Sequence, residues 1–385
     1  MKTRVGVFFG GQSVEHEISI LTAMQVMHAF DSEKYDIVPV YVSKSGLFYS
    51  DSRFKELDTF KDLTKALDKL TPVQLIRQDQ RFALVCTTMK FVQKTVDIID
   101  VAFNAFHGTN GEDGSFAGFC QMLGLPYTGC ALDGAVIGQD KVLMRHIMNA
   151  NKVPICPWFW RYRYEVEQDK KDILSKTKKL GYPVIVKPAT LGSSIGISVV
   201  NTVEEMDAAL ELAGQYSDKI VVEKKIVNMR EFNCAYLGNI EEVTISAVEE
   251  VVNEHAILTY EDKYEKGMKY EEKKRILPAE LDSEVVDRIK YLTVKTCRRL
   301  HLQGVIRVDF LMDCDANKIY VNEVNTIPGS MAHYLFEPEG ISFTQLLDHL
   351  IQDVLYKERI RKQQITSYDT NLLANFDASK GVKGK

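Results

Sequence analysis

Apolar positions along this chain form short runs and spaced patterns that can be read as elements. Residues 5–9 are a continuous apolar stretch that stops at Gly10-Gly11. Such a run predicts a strand buried on both faces and then a turn. Between Glu17 and Phe30, the residues Ile18, Leu21, Met24, Val26 and Met27 fall near the helical period. Residues 36–42 and 96–106 read as further strands. Strand, helix and strand in this order, with glycines at strand ends, predict an open parallel α/β sheet over residues 1–129.

A helical pattern over 132–151 breaks at Pro154 and Pro157, and a lysine-rich amphipathic helix follows from 166 to 180. Gly181-Tyr182-Pro183 closes it, and Val184-Ile185-Val186 begins a strand. Short strands at 197–200 and 220–222 flank a helix over 203–213, which predicts a small α+β domain spanning 130–222. A third unit, 223–366, begins with strands near 232–237 and 243–252. The charged stretch 253–275 follows; its length and polarity predict a long surface loop, either a functional lid or a disordered segment. A helix from Val285 to Leu300, strands at 305–312 and 319–324 and a closing helix at 343–361 complete this α+β unit. Residues 367–385 read as a frayed tail.

Of the 385 residues, 45% are hydrophobic and 26% charged, enough for more than one core. Roughly 150 residues per domain predicts two or three domains. A net charge of −5 and the lack of a basic block interleaved with aromatics argue against nucleic acid as a partner. The seven cysteines (Cys86, Cys120, Cys130, Cys156, Cys234, Cys297, Cys314) are odd in number and show no CxxC spacing. Reduced thiols packed as small hydrophobes are expected, rather than disulfides or a zinc site. The N-terminal apolar run is too short for a signal peptide, and no stretch approaches the roughly 18 apolar residues of a membrane span. The expectation is a cytoplasmic protein with no membrane partner.

Four clusters carry candidate chemistry. Arg307-Val308-Asp309-Phe310 and Asn322-Glu323-Val324-Asn325 lie on consecutive strands. Alternation puts Arg307 and Asp309 on one face and pairs Glu323 with Asn325. If the strands are neighbours, two carboxylates and an amide oxygen make a hard site suited to Mg²⁺; otherwise they are an ordinary charged strand face. Val184-Ile185-Val186-Lys187-Pro188 followed by Gly192-Ser193-Ser194-Ile195-Gly196 fits a phosphate-cradling turn with a lysine, or a plain hairpin. It is not a GxxxxGK[ST] loop. His107-Gly108-Thr109-Asn110-Gly111-Glu112-Asp113-Gly114 follows a strand end, where open α/β sheets bind ligands, and reads equally as a helix-capping turn. Gly10-Gly11-Gln12-Ser13-Val14-Glu15-His16-Glu17 offers Glu15 for an amine, or Ser13 and Glu17 as caps.

Taken in order, GGxSxEHE, HGxxGEDG, Asp140-Lys141, VIVKP with GSSxG, Glu223-Lys224-Lys225, a Lys263-Tyr264 loop, RVDF and NEVNTxPG resemble the D-alanine–D-alanine ligase family, a group of ATP-grasp enzymes. The resemblance covers about residues 4 to 355. It implies ATP held between two α+β domains, with Lys141, Lys187 and Ser194 at the phosphates. Glu223, Lys224 and Ile226 would form the hinge against adenine, and Glu231 would meet the ribose. Asp309, Glu323 and Asn325 would coordinate two Mg²⁺ ions, with Mn²⁺ as a substitute. Glu15 would bind the first amino acid's ammonium group, linked through Ser193 and Tyr264 to the lid. His107 would help neutralise that substrate's carboxylate, and Lys263 would reach phosphate on closure. Arg307 and the Gly329 N–H would stabilise the tetrahedral oxyanion. Tyr334 and Leu335 fall where the second substrate is bound.

The implied activity joins two D-alanines through an acyl-phosphate, for peptidoglycan precursor synthesis, in a homodimer. Two departures qualify it. The lid runs on into the basic stretch ending at Arg275, and Tyr334 stands where the family has a small hydroxyl residue. The alternatives are an ATP-grasp dipeptide ligase with another second amino acid, or a nucleotide-binding protein without turnover. Intact Lys187, Arg307, Asp309, Glu323 and Asn325 argue against the last.

Overall fold

In the computed structural model the described residues are 2–79, 81–86, 94–192, 195–239, 241–252, 274–365, 367, 368 and 371. The N-terminal part is built on seven strands: β1 (Thr3–Gly10), β2 (Tyr35–Val42), β3 (Phe48–Tyr49), β4 (Val73–Gln78), β5 (Arg81–Cys86), β6 (Thr95–Ile99) and β7 (Val101–Asn104). They lie in the order β6-β5-β4-β3-β2-β1-β7. Helices α1 (His16–Ala29), α2 (Leu63–Leu67) and α3 (Ser115–Leu123) accompany them. Val5, Val7 and Phe9 of β1 pack with Ile20, Ala23 and Met24 of α1, while Phe8 turns to the other face with Phe116 and Cys120 of α3. Burial on both faces is why this strand reads as an unbroken apolar run.

Only β2-β1-β7 is parallel; the remaining neighbours pair antiparallel. The expected parallel pairing holds for β2-β1-β7, and the other strands depart from it for a physical reason. Parallel neighbours need a long crossover, whereas β4 and β5 are only two residues apart and pair as a hairpin, with Asp79 at φ +54°. The stretch 96–106, read as one strand, divides at Asp100, whose backbone N–H donates to the Arg4 carbonyl at 2.8 Å.

Two helices follow, α4 (Leu132–Gln139) and α5 (Lys141–Ala150), the second capped by the Asp140 carboxylate. A four-stranded antiparallel sheet, β10-β9-β11-β8, is built from β8 (Trp158–Tyr162), β9 (Val184–Pro188), β10 (Ser198–Val200) and β11 (Lys219–Lys224). It carries α6 (Lys170–Leu180) and α7 (Met206–Gly214). The last sheet, β14-β13-β12-β15-β16, contains β12 (Met229–Gly238), β13 (Val243–Val252), β14 (Lys274–Ile276), β15 (Gly304–Asp313) and β16 (Lys318–Asn325). Helix α8 (Ser283–Arg299) covers it through Ile289, Leu292 and Cys297.

Grouping by packing differs from grouping by sequence order. Ala135 of α4 and Met144 and Met148 of α5 share a core with Phe232, Tyr236 and Ile306 of the last sheet, not with the sheet that follows them in the chain. Helix α9 (Phe343–Arg361) returns to the N-terminal core, where Leu346, Leu350 and Ile351 meet the face containing Val5 and Val7. The described cysteines are all free. No described helix is long and apolar enough to cross a membrane.

Candidate active site

Register across the last sheet sets out the first half of the site. Glu249 of β13, Asn233 of β12, Asp309 of β15 and Glu323 of β16 stand opposite one another in turn. Arg307 and Asn325 form the next pair on the same face, as strand alternation predicts. Arg307 grips both oxygens of Asp309, with Nε to Oδ1 at 2.7 Å and Nη2 to Oδ2 at 2.8 Å. Asn325 donates Nδ2 to Asp309 Oδ2 at 3.0 Å. Rotating its amide by half a turn presents Oδ1 instead. Two half-buried carboxylates and one amide on adjacent strands are a donor set of hard oxygens that fits Mg²⁺.

The second half is a buried cluster of cations. Lys141, at the start of α5, places Nζ 2.9 Å from the Leu191 carbonyl and 3.9 Å from Glu323 Oε2. Arg145 lies one turn on, on the same face of α5, and is 1% exposed. Lys187 of β9 pairs with Glu223 Oε1 at 2.5 Å, and Arg145 pairs with the other oxygen of the same carboxylate. Burial pushes the Glu223 carboxyl upward, but Arg145 and Lys187 outweigh it and hold the group below the usual carboxylate range. Burial lowers the Lys141 ammonium, with Glu323 opposing and Lys187 and Arg145 adding to the shift. Arg145 Nε and Nη1 are buried without a hydrogen-bond partner. Three cations around one carboxylate leave an excess of positive charge beside the Asp309–Glu323 pair, which suits a polyphosphate.

Loops at the N-terminal sheet face this region. Gly10 sits at φ +88°, where a Cβ would collide with the Val42 carbonyl, so only glycine turns the chain here. Ser13 Oγ accepts from the Glu15 N–H at 3.1 Å. The Glu15 carboxylate lies against two backbone segments: a Cβ on Gly108 would be 2.7 Å from it, and one on Gly192 would be 3.5 Å away. The start of the Gly192 loop therefore reaches Glu15. His107 is buried, with Nε2 2.8 Å from Thr22 Oγ1. Burial depresses its pKa to about 4, a backbone contact with Ile327 opposes this and Arg307 adds to it. Burial thus favours the neutral imidazole.

The chain after β16 turns tightly through Gly329–Leu335. Ser330, Met331 and Ala332 have φ of +52°, +53° and +47°, three successive left-handed residues without a glycine among them. Strain of this kind persists only where the surroundings enforce it, and it gathers at functional sites. Tyr334 donates its hydroxyl to Glu249 Oε2 at 3.1 Å, and Asn233 Nδ2 reaches the same oxygen at 2.9 Å. The Arg275 guanidinium covers the Tyr334 ring at 4.9 Å from its centroid, and burial pushes the phenol up to about 12. The Leu335 side chain is packed in the N-terminal core, which leaves its main chain to face a substrate.

Family models match the two halves of this layout: residues 4–130 match the D-ala D-ala ligase N-terminus and residues 147–352 the D-ala D-ala ligase C-terminus. The chain belongs to the D-alanine–D-alanine ligase family. A D-alanine–D-alanine ligase of Thermosipho melanesiensis is 38% identical over 370 residues, covering 96% of this chain and 98% of that protein. The solved D-alanine–D-alanine ligase of Coxiella burnetii superimposes with a TM-score of 0.77 at 26% identity, over 94% of this chain and 96% of its own. The VanG D-Ala:D-Ser ligase of Enterococcus faecalis also gives 0.77, at 30% identity, over 92% of this chain and 100% of its own. The ATP-grasp architecture expected from the motifs is thus the fold of this ligase-family chain.

Within this family member the structure gathers Glu15, Lys141, Lys187, Glu223, Arg307, Asp309, Glu323 and Asn325 into the layout above. Lys224 ties the hinge to the turn before β9, donating Nζ to the Gly181 carbonyl at 2.8 Å, and Ile226 is buried beside it. Glu231 lies on β12 two residues before Asn233, on the same strand face. Ser193, Ser194, Lys263 and Tyr264 lie outside the described residues. Sequence reasoning missed Arg145, Glu249, Asn233 and Arg275. Only Arg145 left a signal, the four-residue spacing from Lys141 on one helix.

Proposed function

We propose that this chain is an ATP-dependent ligase that joins D-alanine to a second D-alanine through an acyl-phosphate, giving a dipeptide, ADP and phosphate for peptidoglycan precursor synthesis. The observation that carries this reading is the buried cluster Lys141, Arg145 and Lys187 set 3.9 Å, at Lys141 Nζ, from one member of a carboxylate pair. Such a site receives polyphosphate on the cationic side and divalent metal on the other. ATP then lies between the central and last sheets, with Lys141 and Lys187 at its phosphates and Glu223, Lys224, Ile226 and Glu231 along the hinge. Asp309, Glu323 and Asn325 are assigned to hold two Mg²⁺ ions, for which Mn²⁺ can substitute. When bound, these ions neutralise phosphate charge that would otherwise repel an attacking carboxylate.

The remaining residues orient the amino acids. Glu15 takes the first ammonium group, and His107 helps to neutralise that substrate's carboxylate. Arg307 and the Gly329 N–H face the oxyanion that forms when the second amine attacks. Ser193, Tyr264 and Lys263 are assigned to the lid, whose closure keeps water from the acyl-phosphate. Family resemblance supports a cytoplasmic homodimer. ADP release with ATP, Mg²⁺ and single or paired amino acids tests the reading. Release should require D-alanine, and amino-acid-independent release would contradict it.

The acceptor side departs from the family pattern. The Tyr334 hydroxyl is engaged by Glu249, and its ring by Arg275 and the edge of the N-terminal core; its position in the family pattern supports assigning it to one wall of the acceptor subsite. Replacing Tyr334 by Phe removes one hydrogen bond and leaves a buried carboxylate oxygen with less support, a loss of about 1 kcal/mol or more. With the ring less firmly held, Tyr334→Phe should raise the acceptor KM while leaving the ATP KM unchanged. Identical acceptor kinetics in the two proteins would remove Tyr334 from the subsite.

A further inference from the structure

Glu112 has no part in the roles assigned above, yet its carboxylate closes a junction between loops 215 residues apart in sequence. Oε2 accepts from the Gly108 N–H at 2.9 Å, on the loop that borders Glu15. Oε1 accepts from the Ile327 N–H at 3.1 Å and from Thr326 Oγ1 at 3.4 Å, at the start of the turn that leads to Gly329. A second stitch runs beside it. Thr22 Oγ1 is 2.8 Å from His107 Nε2 and accepts from the Ser330 N–H at 3.3 Å. Ser330, Met331 and Ala332 are the three left-handed residues, so the second stitch ends on that strained turn and the Glu112 stitch on the residues leading into it.

We propose that Glu112 is a positioning residue that fixes the Thr326–Gly329 turn against the Gly108 loop, and so sets the distance between the first amino acid's carboxyl group and the groups facing its oxyanion. This rests on the ligase reading above. A carboxylate suits the task because each oxygen meets an N–H from a different loop. A glutamine in its place has one accepting end and one donating end, so one loop must face donor to donor. Aspartate keeps both acceptors but is one methylene shorter. Glu15, across the Gly108 loop, adds like-charge repulsion to the carboxylate. Burial, with Glu15 adding to it, pushes the Glu112 carboxyl up to about 7, so the junction holds a charge close to being lost at neutral pH.

The test compares wild type, Glu112→Gln and Glu112→Asp in steady-state dipeptide synthesis at pH 8, with thermal melting as the check on folding. A misplacement of about an ångström at a reacting centre costs up to about a hundredfold. Glu112→Gln should lose at least tenfold in kcat, on the order expected for such a shift, with the ATP KM unchanged and the fold retained. Glu112→Asp should fall between the two. Wild-type kcat in Glu112→Gln, or a kcat loss matched by a rise in ATP KM and a collapse in melting temperature, would overturn the proposal. A wild type that makes no dipeptide at all would instead remove the ligase reading beneath it.

Discussion

Glu323→Gln should nearly abolish ADP formation, by a hundredfold or more, the scale of removing a preorganised electrostatic stabiliser. Glu323 stands opposite Asp309 and within 3.9 Å of Lys141 Nζ, so it belongs at once to the carboxylate pair and to the border of the cationic cluster. The substitution keeps the volume and a hydrogen-bonding end but removes the charge. Half-buried on a strand whose core partners Val321 and Val324 are untouched, it should leave the fold intact. The check is ADP release by the variant, with circular dichroism to confirm folding. A folded variant that turns over at the wild-type rate would detach this carboxylate from phosphate chemistry.

Glu223→Gln should cost stability as well as activity. The Glu223 carboxylate is 3% exposed and balances both Arg145 and Lys187. Its removal leaves two buried cations without a counter-charge, and breaking a buried pair in this way costs about 3–5 kcal/mol. The chain has two tryptophans, and Trp158 of β8 is paired in register with Glu223, so fluorescence during urea denaturation reports on the right sheet. The midpoint should fall clearly and the ATP KM should rise, because Lys187 loses the partner that aims it. An unchanged midpoint would mean that Glu223 faces the ligand and contributes little to the cluster.

The strands are legible in the sequence where burial leaves long apolar runs, as in β1, and where a sheet face alternates, as in β15 and β16. That alternation alone is enough to place Arg307 with Asp309 and Glu323 with Asn325. The antiparallel half of the N-terminal sheet is not legible in this way. Strand β3 is two residues long, and register rather than pattern joins it to β2 and β4. The residues missed in the site share one property, that their partners are distant in the chain. Glu249 meets Tyr334 across 85 residues, and nothing local distinguishes it from Glu250, which instead pairs with Arg230. Ser330, Met331 and Ala332 carry no sign of a left-handed turn, because surrounding contacts impose it against their own preference. The burial that lowers the His107 pKa is likewise a property of the packed molecule and leaves no mark in the motif.

The central claim is that the cationic cluster and the carboxylate pair serve one reaction, amide-bond formation between two D-alanines at the expense of ATP. Mass spectrometry of the product from the purified full-length chain with ATP, Mg²⁺ and D-alanine measures this directly. D-alanyl-D-alanine should accumulate in step with ADP, one for one, and neither should form when D-alanine is withheld. ADP accumulating in the presence of D-alanine without any dipeptide would contradict the claim and show a site that phosphorylates a carboxylate without ligating it.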